Sequence, residues 1–293
     1  MNQPPGHTPA GAYRVAIDIE NHFTPAEVNA LPLFTGGLPR ETRRQLWKTR
    51  RMMRRGHPSL RSYQRSETAR NATWYRGAPT ADRLLVVFCG TAGRPMIPTP
   101  VFLQFIPETR HDVLMLRDPT GNAYTHGVPG LGNDLQETLN HLAGRIDFTR
   151  YRETRALGVS SGGAAALCTG ILLGSTLALS FGGRHPSCSR RARTGNRTDS
   201  FDTLVARRLA ESGTWLANFR AENHPADEEG ARSLRATLPA CRDLVVTGTS
   251  NHILLAELAG QGGSWWRPHR NRLQTVFANF LLADTPASDT VAP

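Results

Sequence analysis

The sequence predicts an α/β protein with a mostly parallel central sheet and helices on both faces. Two continuous apolar segments, residues 83–89 and 112–116, are typical of strands that are buried on both faces of a parallel sheet. Segments with helical spacing alternate with such strands along the chain, and glycine-rich turns separate them. A length of 293 residues with 39% hydrophobic residues is sufficient for one large domain with a sizeable core.

The first part of the chain is predicted to contain one strand and two helices. Residues 12–20 have apolar side chains at every second position, which favours a strand with one buried face: Tyr13, Val15, Ile17 and Ile19. Thr24 followed by Pro25 and Glu27 indicates the start of a short helix. Residues 39–55 have helical spacing and many arginines. We predict that residues 1–70 form a basic N-terminal region that packs on the core.

The rest of the chain continues the alternation of strands and helices. Further strands are predicted at residues 72–75, 155–159, 175–181, 215–219 and 243–247. Further helices are predicted at residues 134–146, 163–174, 201–212, 228–237 and 270–282, with another beginning at 254. Residues 71–285 are therefore assigned to one catalytic domain, with a cap loop or helix at about 183–214.

The positive charge of the chain is concentrated on arginine. The formal net charge is +11, and Lys48 is the only lysine. The arginine-rich helix at 39–55 is the best candidate for contact with nucleic acid or an acidic membrane surface. Most charged helix faces are simply solvated, and no zinc finger, helix-turn-helix or RNA-binding signature accompanies this one. Polyanion binding is therefore the weaker expectation.

No cofactor or metal is expected from the sequence. The four cysteines are widely scattered, without the paired spacing of a zinc site: Cys89, Cys168, Cys188 and Cys241. No stretch approaches the roughly 20 apolar residues of a membrane helix. The N-terminal residues lack the basic start and apolar core of a secretory signal, so a cytoplasmic location is expected.

A serine lies between a predicted strand and a predicted helix. The segment Gly158-Val159-Ser160-Ser161-Gly162 provides small residues two positions on either side of Ser160. A nucleophile elbow needs such residues, because strand and helix pass close to each other at the turn. With Ser161 as nucleophile, Val159 would occupy the first small position. The pattern therefore favours Ser160.

A histidine and two acids follow Ser160 in the chain. His252 comes just after the last predicted strand, where a general base could reach Ser160. Glu222 and Asp227 both follow the strand at 215–219, and either acid could orient the imidazole. Asp227 is preferred because the longer loop lets it fold back toward the histidine. The order serine, acid, histidine matches that of many serine hydrolases.

A third loop supplies candidate oxyanion donors. Gly90 and Thr91 follow the buried strand at 83–89. The backbone N–H of Thr91, or of the residue next to it, and that of Ser161 could both point at a developing oxyanion.

Together these motifs resemble the α/β-hydrolase superfamily over roughly residues 83–282. The resemblance implies Ser160 as nucleophile, His252 as base and Asp227 as the third member of the triad, with Thr91 and Ser161 as oxyanion donors. His224 stands where many members have the aspartate.

The resemblance implies a serine hydrolase that cleaves a small-molecule ester, thioester or amide through an acyl-enzyme. Arginines in the cap segment favour an anionic substrate: Arg184, Arg190, Arg191, Arg193 and Arg197. Two alternatives are an acyltransferase, and an inactive α/β-hydrolase fold that serves as a binding or scaffold protein through the arginine-rich helix.

Overall fold

The computed structural model describes residues 9–32, 37–55, 57–188, 198–260 and 272–284. Eight strands form one sheet: β1 (Gln64–Ala69), β2 (Ala72–Arg76), β3 (Arg83–Phe88), β4 (His111–Leu116), β5 (Glu153–Val159), β6 (Leu177–Phe181), β7 (Trp215–Ala221) and β8 (Arg242–Val246). Their order across the sheet is β1-β2-β4-β3-β5-β6-β7-β8. β2 pairs antiparallel with both β1 and β4, and all other pairings are parallel. The predicted fold class is confirmed.

Helices cover both faces of this sheet. They are α1 (Pro9–His22), α2 (Pro25–Ala30), α3 (Arg40–Met53), α4 (Thr99–Phe105), α5 (Leu135–Ala143), α6 (Gly163–Leu172), α7 (Thr198–Arg208), α8 (Pro225–Thr237), α9 (Leu254–Leu258) and α10 (Arg272–Val276). The central strand β3 contributes Leu85 and Val87 to one apolar cluster and Leu84 and Val86 to the other. The first cluster is completed by side chains of α1 to α4, α9 and α10, and the second by α5 to α8. β3 is buried on both faces, and all of its residues after Arg83 are apolar.

The strand predicted at residues 12–20 is wrong, because this segment belongs to helix α1. Ala16 and Ile19 are buried on one face of the helix, and Phe23 packs against the same cluster just beyond its end. Val15, which the strand pattern placed inside, is 43% exposed. The apolar residues of this short segment fit both the two-residue period of a strand and the 3.6-residue period of a helix. Packing against α3 and α4 selects the helix.

Two elements were not predicted. β1 is a polar edge strand with no alternation of apolar residues, and it is recognisable only through its pairing with β2. β1 also lies within the region 1–70, so pairing of the two strands joins that region to the sheet. α4 carries prolines at its N-terminal end, which suit the first turn of a helix but suggest a loop in sequence.

The segment predicted as a cap is described in part. α7 packs against α6, and its Val205 is buried in the second apolar cluster, so α7 belongs to the helical layer on that face. Four arginines of the predicted cap lie outside the described residues: Arg190, Arg191, Arg193 and Arg197. Among the helices of the described ranges, none has the length and apolar character needed to span a membrane.

Candidate active site

The turn after β5 holds Ser160 in a backbone conformation that is rare for a residue with a side chain. Its φ angle is +51°, in the left-handed region. A Cβ on Gly158 would lie 2.2 Å from the carbonyl oxygen of Gly162, and a Cβ on Gly162 would lie 2.4 Å from that of Phe88. β5, the turn and β3 therefore approach one another too closely for larger residues. Such strain is common at functional sites and exposes the serine at the strand end.

His252 lies in the loop between β8 and α9, beside this turn. Its Nε2 is 2.9 Å from Ser160 Oγ. A Cβ on Gly182, at the end of β6, would lie 3.0 Å from the imidazole, so the glycine makes room for the ring. In the sequence, Gly182 is marked only by its position directly after β6, and no role was predicted for it.

Asp227 lies in the first turn of α8 and is buried. Its Oδ1 is 2.6 Å from His252 Nδ1. Burial by itself raises the pKa of Asp227, but the hydrogen bond from His252 and the charges of His252 and His224 outweigh it and hold the pKa below its usual value. An ionised carboxylate only accepts hydrogen bonds, so Nδ1 carries the proton and Nε2 is free to accept the Ser160 hydroxyl proton.

Glu222, the competing acid, is held elsewhere. Its Oε2 accepts a hydrogen bond of 2.8 Å from the backbone N–H of Gly248, and its own N–H donates to Val246 at 3.1 Å. Glu222 therefore braces the end of β8. The structure brings Asp227, and not Glu222, to the imidazole of His252.

His224 makes a further contact with the same carboxylate. It is the N-cap of α8, where its Nδ1 accepts the N–H of Asp227 at 3.2 Å and lies 3.1 Å from Asp227 Oδ1. Its ring stacks on that of His252 with centroids 5.5 Å apart. The resemblance implied that His224 stands where many members have the acid, and nothing in the sequence predicted this contact.

The ligand atoms of His224, Asp227 and His252 lie within 4.8 Å of one another, a spacing that could hold a metal ion. A metal on Nδ1 of His252 would displace the proton that Asp227 accepts. Metal binding at this point would therefore oppose activation of Ser160.

The loop after β3 lies on the other side of Ser160. Thr91 Oγ1 is 3.4 Å from Ser161 Oγ, so the two predicted oxyanion donors are neighbours. Within the described part of the chain, the N–H groups of Thr91 and Ala92 have no hydrogen-bond partner. These two N–H groups are therefore free to bind another acceptor. Their role as donors stays a prediction.

Comparison with known proteins identifies the fold. No protein-family model matches this chain, and no match was found among curated proteins. The capsule O-acetyltransferase of Neisseria meningitidis serogroup A, in complex with caged gadolinium, is 12% identical, with coverage of 77% of this chain and 98% of that chain and a TM-score of 0.50.

Two further solved structures are similar. The 2,6-dihydroxy-pseudo-oxynicotine hydrolase is 11% identical over 86% of this chain and 78% of that chain, with a TM-score of 0.49. An α/β-hydrolase enzyme from a sediment metagenome of the Mar Chica lagoon is 15% identical over 73% of this chain and 97% of that chain, with a TM-score of 0.42. The strand order and the helices on both faces are those of the α/β-hydrolase fold.

Proposed function

We propose that this α/β-hydrolase-fold protein is a serine hydrolase that cleaves an ester, thioester or amide through an acyl-enzyme. The observation that carries the proposal is the continuous hydrogen-bond chain from Ser160 through His252 to Asp227, with lengths of 2.9 and 2.6 Å. This chain has the connectivity of a Ser-His-Asp triad, and the serine sits in a strained turn at the carboxyl end of a central strand.

In the proposed first step, Ser160 Oγ attacks the acyl carbonyl carbon while its proton passes to His252 Nε2. The carbonyl electron pair moves to oxygen, where the N–H groups of Thr91 or Ala92 and of Ser161 stabilise the negative charge. When the tetrahedral intermediate collapses, the bond to the leaving group breaks and the leaving group takes the proton from His252. Asp227 stays ionised and stabilises the imidazolium.

In the second step, water attacks the carbonyl carbon of the acyl-enzyme while one of its protons passes to His252 Nε2. The bond to Ser160 Oγ then breaks and Ser160 takes the proton, which releases a carboxylic acid and the free serine. An alcohol in place of water would give acyl transfer. The likeness to an O-acetyltransferase at a TM-score of 0.50 keeps acyl transfer as the second candidate activity. Product analysis with and without added alcohols separates the two.

We further propose that the substrate is a small anionic acyl compound. Of the cap arginines, Arg184 lies in the described part of the chain, two residues beyond Gly182, where a Cβ would lie 3.0 Å from the His252 ring. A cation at the rim of the site attracts anions, and salt weakens this attraction because the Debye length is about 8 Å at physiological ionic strength. Rates for carboxylate-bearing esters should therefore fall with salt more steeply than those for neutral esters. Equal rates at every salt concentration would contradict this preference.

A fluorophosphonate probe tests the central proposal. The parent chain should be labelled at Ser160 and show a burst of product with an activated ester. Ser160→Ala should abolish both, because no nucleophile remains.

Ser161→Ala is the matched control. It should retain labelling, since only the backbone N–H of Ser161 is needed. A folded parent chain that is not labelled but binds heparin or nucleic acid would instead indicate the binding or scaffold function. The cationic helix α3, with Trp47 at 49% exposure, would then be the surface to examine.

A further inference from the structure

Glu20 is a buried carboxylate that the proposed mechanism does not use. It lies in the last turn of α1 and has no exposed surface. A carboxylate near the C-terminal end of a helix is disfavoured by the helix dipole, and its burial costs free energy unless its oxygens are paired.

The partners of Glu20 connect α1 to two other parts of the molecule. Its Oε2 is 2.5 Å from Arg94 Nη1, in the loop that follows β3. Its Oε1 accepts hydrogen bonds from Gln45 at 3.0 Å and Thr49 at 2.5 Å, both on α3. The carboxylate is thus satisfied, and it links α3, α1 and the loop that carries Thr91.

Asn21 makes a second connection to the same loop. Its Nδ2 donates to the carbonyl oxygen of Ala92 at 2.9 Å. A Cβ on Gly93, whose φ is +71°, would lie 3.0 Å from this amide nitrogen, so the side chain of Asn21 fits against the glycine. Arg117 donates to the carbonyl oxygens of both Gly93 and Asn21 and so closes the connection.

These contacts determine how the peptide groups of the loop are oriented. The peptide between Ala92 and Gly93 is held at both ends, by Asn21 on its carbonyl and by the hydrogen bond of 2.8 Å from Gly93 N–H to Gly90. The carbonyls of Ala92 and Gly93 are thereby paired on the side of α1. The N–H groups of Thr91 and Ala92 are left without a partner among the described residues, and the side chain of Thr91 lies 3.4 Å from that of Ser161.

We propose that Asn21 and Glu20 are positioning residues for the oxyanion loop, so that the N-terminal helix α1 is a working part of the site. This inference rests on the proposed function. Preorganised donors lower the barrier because they need not reorient as charge develops on the substrate oxygen. A looser loop would bind the ground state equally well and the transition state less well.

The test compares Asn21→Ala and Glu20→Gln with Val28→Ala. Val28 is buried on α2, so its truncation weakens the packing of the N-terminal helices without touching the loop. Loss of a whole oxyanion donor costs about 10²- to 10³-fold in kcat, so a mispositioned donor should cost roughly tenfold, with KM changed less than about twofold. Val28→Ala should retain the parental kcat when assayed below its unfolding temperature.

Amide hydrogen exchange supplies a readout that does not depend on turnover. Exchange of the Gly90 and Gly93 amides, which donate to the carbonyl oxygens of Arg94 and Gly90, should accelerate in Asn21→Ala and Glu20→Gln and stay parental in Val28→Ala. An unlabelled, inactive parent chain would overturn the proposed function, while the exchange data would still decide whether Asn21 and Glu20 position the loop. Parental exchange and parental kcat in both variants would overturn the positioning role of Asn21 and Glu20 but not the proposed function. If Asn21→Ala fails to fold, Glu20→Gln decides the test, since Gln keeps the volume and one acceptor oxygen but removes the charge and the second acceptor that hold Arg94 and α3.

Discussion

At the scale of single residues, the site separates two acids that follow the same strand. Asp227 lies 2.6 Å from the ring nitrogen of His252 that faces away from Ser160, whereas Glu222 accepts the N–H of Gly248. The difference arises because Pro225 starts α8 and winds Asp227 back into its first turn, beneath the imidazole. His224 caps the same turn and contacts the same carboxylate oxygen, so the start of α8 and the two imidazoles together determine the position of the acid.

Asp227→Asn should lower turnover by about 10⁴, mainly because the amide favours the wrong histidine tautomer. Glu222→Gln should leave turnover near the parental value, since its oxygen serves only the turn at Gly248. Steady-state kinetics of both variants, at temperatures where thermal scans show them folded, make the comparison. A collapse of turnover in Glu222→Gln alone would contradict the assignment.

At the scale of elements, the crossing of β5 and the helix that follows the elbow depends on the absence of side chains. A Cβ on Gly158 would lie 2.2 Å from the Gly162 carbonyl oxygen and 2.8 Å from the Cβ of Ala166 on α6. Real contacts of this kind are longer, so the strand or the helix would have to move. Movement there would also displace Ser160, because the serine lies between the two glycines.

Gly158→Ala should destabilise the fold by about 3 kcal/mol through overpacking and should remove activity in the fraction that folds. Gly144→Ala is the matched control, because Gly144 ends α5 with a φ of −73° and a Cβ would meet no atom closer than 3.5 Å. That exchange should leave stability unchanged or raise it by about 0.5 kcal/mol. Urea unfolding and ester turnover measure both effects. Equal stabilities of the two variants would argue against the close crossing.

At the scale of the whole molecule, the two ends of the parallel strands have different roles. The carboxyl ends of the parallel strands carry Ser160 and His252, whereas residues at their amino ends contact residues 281–284. There Arg83 and Arg155 are buried around Glu153, with nitrogen to oxygen distances of 3.2 and 2.5 Å. Arg155 also donates to the carbonyl oxygens of Leu281 and Ala283, just after α10.

Glu153→Gln should lower the free energy of unfolding by about 3 kcal/mol, because two buried guanidinium groups lose their shared carboxylate. The rate per folded molecule should stay parental, since Glu153 lies at the amino end of β5, opposite the end that carries Ser160. Asp82→Asn is the control: it removes a carboxylate from an ion pair with Arg152 in which the two side chains are 45% and 58% exposed, and it should change stability little. A large loss of kcat in folded Glu153→Gln would show that the two ends of the strands are coupled.

The sequence by itself determined the sheet and the elbow. Continuous apolar segments such as β3 and β4 can be satisfied only between two helical layers, and small residues around Ser160 reflect a steric demand that is local in the chain. The chain order of Ser160, Asp227 and His252 also placed all three at strand ends, where parallel strands converge on one edge.

Only the tertiary structure decided three other points. Residues 12–20 satisfy two periods, so packing on α3 and α4 had to choose the helix. The sequence favoured Asp227 but left Glu222 open as the alternative, and the winding of α8 separates the two acids. The contact of Asn21 with Ala92 joins residues 71 positions apart and leaves no mark on local pattern. Periodicity records which face of an element is buried, but not which distant group meets it, because that depends on how the elements pack.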